Sequence, residues 1–219
     1  MDVKAKLLLF FVLDNVDHPA VFEKLDASNP GSAHAVALFQ ARKEGGLEKA
    51  SEPLERWLAK NPRDNGVRGL YAEYLRGLDQ RGPAIAQYEI LVEQAGGNAA
   101  SLNNLAWLYH LQGDPRALPM AQRAYQAAPQ VPAIADTYGW LLVEGKSVEE
   151  GLAILEKTDA AHGFAQPEIR YHYAAALGRA GKREQSARLL QGLLADVPSF
   201  ESHEEATRLL AELQNPGAT

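Results

Sequence analysis

The sequence predicts an all-α solenoid of stacked helical hairpins, and three observations carry that expectation. Ala- or Gly-type positions recur with a period near 34 residues, turn residues fall midway through most periods, and Pro or Gly closes each one. On the first helix of each unit the recurring position is Leu38, Ala72, Ala106, Gly139 and Ala174. The steps are 72 − 38 = 34, 106 − 72 = 34, 139 − 106 = 33 and 174 − 139 = 35. A second series, early in the second helix, runs Ala50, Ala84, Ala117, Gly151 and Ser186, and a closing series runs Pro62, Gly96, Pro129, Gly163 and Pro198. Three independent series in one period are not a coincidence.

Taken in order, the chain begins with Lys4 and Lys6 ahead of the apolar run Leu7–Leu13. That run is too short to span a bilayer, and Asp14, Asn15 and Asp17 follow it where a signal peptide would place small residues. Residues 3–13 therefore read as a helix paired with 18–27, a degenerate or capping hairpin (1–31) closed by Asn29-Pro30-Gly31. Five repeats follow, at about 32–65, 66–99, 100–132, 133–167 and 168–198. The clearest stretch spans Asn98–Gln130. There Leu102, Leu105, Ala106 and Tyr109 share one helical face, Gly113 supplies the stop, and Asp114-Pro115 restarts the chain. Ala117, Ala121 and Ala124 then form a small-residue face, and Pro129 ends the unit. Gly45-Gly46, Gly145-Lys146 and Gly181-Lys182 mark the equivalent turns elsewhere. Ser147 with Glu150, and Ser202 with Glu205, have capping-box spacing. The second pair opens a solitary helix within 199–214 whose polar outer face would close the array, leaving 215–219 as a tail.

Composition narrows the function. Lys and Arg number 22 against 28 Asp and Glu, a net charge of −6, which argues against general binding to nucleic acid or to anionic membrane. With no Cys, disulfides, thiolate metal sites and a Cys nucleophile are excluded. Gly145-Lys146-Ser147 resembles the end of a phosphate-binding loop, but Trp140 stands where the first Gly belongs. His203-Glu204-Glu205 begins like a zinc-protease helix, but Thr207 replaces the second His. His18, His34, His110, His162 and His172 lack metal-ligand spacing, and His172 reads as a surface or groove residue. No nucleophile elbow occurs, so the chain is expected to be non-catalytic, without metal or cofactor.

Leu105-Ala106-Trp107-Leu108-Tyr109 follows the Leu-Gly-x-x-Tyr core of the 34-residue helix–turn–helix repeat, with Ala for Gly. Residues 32–198 thus resemble tetratricopeptide repeats, which implies a right-handed superhelix. Leu102–Tyr109 (LNNLAWLY), Ala135–Gly145 (ADTYGWLLVEG) and Pro167–Ala187 (PEIRYHYAAALGRAGKREQSA) look more narrowly like the C-terminal repeats of the PEP-CTERM/exosortase-system lipoproteins. Those are Gram-negative envelope proteins that serve surface-protein sorting and exopolysaccharide production. This sequence has no lipidation Cys.

The resemblance implies that first helices line a concave groove, with the residue after the Ala/Gly position facing it: Phe39, Glu73, Trp107, Trp140 and Ala175. One turn earlier lie Ala35, Gly69, Asn103, Asp136 and Tyr171. Asn103, Trp107, Asp136, Trp140 and Tyr171 would form one patch, edged by His110, Arg76 and Arg179. Aromatic area beside hydrogen-bonding groups suits a peptide or a sugar. The alternative is that both Trp residues fill space between neighbouring helices, as Trp57 on a second helix is expected to do. The expected function is a protein- or peptide-binding scaffold. The alternatives are a glycan-binding module, with polysaccharide as partner, and a structural oligomerisation segment.

Overall fold

The computed structural model describes residues 31–46, 49–163 and 165–214. The expected N-terminal hairpin and the tail lie outside the described residues. Among those described there are eleven helices and no strand. They fall in two compact units divided at Gly96 and Gly97.

The first unit contains α1 (Ser32–Glu44), α2 (Glu52–Lys60), α3 (Asn65–Gly77) and α4 (Arg81–Ala95). Its core gathers Phe39, Leu54, Leu58 and Val67, with Trp57, Tyr71 and Tyr74 packed against them. Trp57 packs as expected and also uses its polar edge: Nε1 donates to Asp64 Oδ2 at 2.8 Å. The other Asp64 oxygen caps α3 by accepting from the Val67 N–H at 3.1 Å. Phe39, assigned by resemblance to the groove, is instead 1% exposed and sits edge-on to Tyr74 at 4.9 Å. A buried Arg that composition could not single out ties this unit together. Arg68 donates to Gln87 on α4 and to the Pro62 carbonyl, both at 2.6 Å.

The second unit contains α5 (Ala99–Leu111), α6 (Ala117–Ala127), α7 (Pro132–Glu144), α8 (Val148–His162), α9 (Pro167–Arg179), α10 (Arg183–Asp196) and α11 (His203–Gln214). Successive pairs pack as hairpins, and the first helices α5, α7, α9 and α11 also touch in sequence. One face of the unit is therefore made of first helices alone.

Small residues sit where the helix pairs meet, as the period required. On α7 and α8, Gly139 and Gly151 face each other so closely that a Cβ on Gly151 would collide with the Gly139 carbonyl. In the next hairpin the contact is a hydrogen bond, Ser186 Oγ donating to the Ala174 carbonyl at 2.7 Å. Each mid-hairpin turn in this unit needs one residue with positive φ. Gly113 (67°) and Gly181 (77°) supply it, and in the middle hairpin the second residue of the expected Gly145-Lys146 turn, Lys146 (73°), does so rather than the Gly.

Two expected capping boxes do not form. Ser147 makes no side-chain cap bond. The Ser202 N–H donates to Glu168 Oε1 at 3.0 Å, reaching across to α9 rather than to Glu205. At the other end of α11, Arg183 donates to the carbonyls of Glu212 (3.0 Å) and Leu213 (3.2 Å). Both ends of the terminal helix are thus held by the preceding hairpin. Its inner side, Ala206 with Leu209, Leu210 and Leu213, covers Ala174 and Leu190.

Candidate groove and its buried histidine–aspartate pair

Helix α7 is apolar along nearly its whole length, Ile134 to Val143 being buried without a break. Asp136 lies inside that run, so its carboxylate must find a partner or lose hydration uncompensated. The partner is His172 on α9, whose Nδ1 lies 2.8 Å from Asp136 Oδ2. Both residues are 7% exposed. Asp136 Oδ1 has no hydrogen-bond partner, and neither has the buried Oδ1 of Asn103 on α5.

Aromatic rings enclose the imidazole. Trp140 stacks on His172 at 4.8 Å and 16° between planes. Tyr171 lies 5.6 Å away, and Trp107 of α5 lies 6.1 Å away, both tilted. Burial by itself pushes the His172 pKa down. The Asp136 charge and hydrogen bond, with Glu168 and Glu144 behind them, outweigh burial and raise it.

A second, more exposed layer covers this pair. Glu144 sits between Arg179 and His110: Arg179 donates to Oε1 at 3.0 Å, and His110 Nδ1 lies 3.4 Å from Oε2. The Arg179 guanidinium also rests 4.5 Å over the Trp140 ring. His110 packs on Trp107 at 5.0 Å. Its pKa is lowered, first by burial and further by His172 and Arg179, against the pull of Glu144. One layer thus spans α5, α7 and α9.

Beside it opens a cleft of about 550 Å³ between α7, α9 and α11. Trp140, Tyr171 and Leu209 contribute its apolar lining, while Arg179, Arg208 and Glu205 bring charge of both signs. Burial raises the Tyr171 pKa, and the charges of Glu205 and Arg208 bear on it in opposite senses.

The residues marked by the sequence are therefore placed as follows. Asn103, Trp107, Asp136, Trp140, Tyr171, His110 and Arg179 all lie on the first-helix face of the second unit. Arg76 belongs to the first unit, where it pairs with Glu73. Two expectations change. Trp140 is 7% exposed and packs between α7 and α9, while still lining the cleft. Asp136 is buried, with one oxygen committed to His172.

Two residues were missed. His172, expected as a surface or groove residue, lies buried at the centre of the groove cluster, and Glu144 was not marked at all. The signal for His172 was indirect: an Asp inside an apolar helix demands a buried donor. Among the described residues no three His, Asp or Glu side chains gather as a metal site, and no helix is long and apolar enough to cross a membrane.

No protein-family model matches the sequence, and no curated protein does either. Solved structures do match. One is YrrB, described as a tetratricopeptide-repeat protein with an unusual peptide-binding site: TM-score 0.66, 14% identity, 86% of this chain and 96% of that one. Another is PilW, a widely conserved type IV pilus biogenesis factor: TM-score 0.67, 13% identity, 94% of this chain and all (100%) of that one. A third is MamA from Desulfovibrio magneticus RS-1: TM-score 0.65, 13% identity, 87% of this chain and all (100%) of that one. The fold is the all-α solenoid of tetratricopeptide helix–turn–helix repeats.

Proposed function

We propose that the chain is a non-catalytic scaffold that holds a peptide segment of a partner protein along the face made by α5, α7, α9 and α11. The observation that carries this reading is the cleft beside Trp140 and Tyr171, where apolar floor and charged walls of both signs meet. Such a site gains affinity from ring burial and fixes orientation through its charged walls. The solved structure of YrrB, with its described peptide-binding site, supports the same reading. Trp107, Tyr171, Asn103, His110 and Arg179 are the contact residues, and Asp136 and Trp140 support them from below.

Selection from a displayed peptide library tests the proposal. The tightest peptide should bind Trp107→Ala about tenfold or more weakly, as loss of an aromatic anchor does. Unchanged helicity by circular dichroism is the control. Equal affinity of both proteins, or a library that yields no binder, overturns it.

Stacking of sugar rings is less well supported. Trp140, one of its two required platforms, is 7% exposed, being stacked on His172 and overlain by Arg179.

Within the scaffold reading, we infer a place in envelope protein sorting or exopolysaccharide assembly. Support comes from the likeness of Leu102–Tyr109, Ala135–Gly145 and Pro167–Ala187 to PEP-CTERM-system repeats. Fractionation of the source cells checks it, and recovery in the cytosol alone counts against it.

A further inference from the structure

We propose that the protonation state of His172 regulates the groove: the imidazolium form clamps α7 to α9 around Trp140, and the neutral form loosens that clamp and weakens ligand binding. The statement about binding rests on the peptide-groove reading, while the clamp itself does not.

The geometry leads here in three steps. First, the Asp136–His172 contact joins two consecutive first helices through side chains that are both buried. Its two charge states therefore act on a helix–helix contact and not on solvent. Second, Asp136 has no other donor, since Oδ1 is unpartnered. When His172 loses its proton, a buried carboxylate keeps one neutral N–H and nothing else, which is a costly state. Third, Trp140 stacks flat on the ring that changes charge and carries Arg179 over its own ring. An indole face attracts a cation and gains little from neutral imidazole. The charge state of His172 thus reaches the cleft through one side chain.

The surrounding charges favour the proton. From α7, Asp136 and Glu144 act on His172, and Glu168 acts from α9 itself. Arg179 on α9, the cation of the covering layer, is engaged by Glu144. From α5 comes His110, which repels a second charge and is itself pushed toward neutrality. From α11, Glu205 and Arg208 bear on the adjacent Tyr171 with opposite signs. Acid outnumbers base around this imidazole, which therefore holds its proton more tightly than a free histidine does.

The test starts with the free protein. Side-chain NMR should follow the His172 imidazole and the three indole N–H signals from pH 6 to pH 9 (a range spanning roughly the ordinary His value of ~6.5 and above). The Trp140 and Trp107 signals should shift with the same midpoint as His172, while Trp57 should not respond. Asp136→Asn should move that midpoint to lower pH, and His172→Gln should abolish the step. With the library-selected peptide, affinity should fall about tenfold across the wild-type midpoint, follow it in Asp136→Asn, and be flat in His172→Gln. If the histidine variant fails to fold, the wild-type and Asp136→Asn titrations suffice. Indole signals indifferent to His172 overturn the clamp. A coupled indole step with no peptide bound by any form would sink the groove reading and leave the clamp standing. Coupled indoles with pH-independent affinity overturn the regulation of binding.

Discussion

Gly151 on α8 faces the backbone carbonyl of Gly139 on α7 with no room for a Cβ between them. A Cβ there would also lie 2.9 Å from the Val143 backbone nitrogen, so backbone, not a flexible side chain, would have to move. Gly151→Ala should therefore destabilise the protein by about 1–3 kcal/mol, the usual cost of overpacking. Gly192→Ala, a helical position with open space around it, should instead stabilise by ~0.5–1 kcal/mol. Denaturant midpoints of the two variants decide the matter, and equal shifts would refute the close-contact account.

Stability should depend on pH through His172. Its folded pKa is raised above the unfolded value, so the folded state binds the proton more tightly. That contribution is complete below the ordinary His value, about 6.5, and is lost as pH rises through the folded value. The urea midpoint of the wild type should accordingly fall as pH rises above about 6.5. His172→Gln should start lower and show a flatter profile over the same range.

Lys146 pays for its place in the turn with a φ of 73°. Non-glycine residues in the left-handed region cost roughly 1–2 kcal/mol, partly offset here because Gly would raise the entropy of the unfolded chain. Lys146→Gly should raise stability by ~0.5–1 kcal/mol, while Gly113→Ala, at a φ of 67°, should lower it by a similar amount. Thermal melts of both variants provide the check.

Removing the Arg183 guanidinium should free the last turn of α11 without unfolding the rest. Its two bonds to the Glu212 and Leu213 carbonyls are exposed, worth together on the order of 1 kcal/mol. Arg183→Ala should speed hydrogen exchange across 203–214 severalfold and leave exchange in α7 unchanged. Uniform acceleration throughout would mean that α11 is no separate lid.

The sequence by itself determined the hairpins. A small residue at Ala106, Gly139 or Ala174 reports that two helix axes pass close together, and a Gly at 113 or 181 reports a backbone turn. Both are constraints on the chain within one repeat, so they leave a period that can be counted. Even so, the turn at Lys146 and the Glu168 bond to Ser202 show that a local signal can be met by another residue when the surrounding structure compensates. Only the tertiary structure decided the site. Asp136 and His172 lie 36 residues apart, and neither residue's neighbours in sequence announce the other. Whether Trp140 faces solvent or lies under Arg179 likewise depends on how α7 and α9 pack, because a helical period fixes which residues share a face and not how deeply a neighbouring helix covers that face.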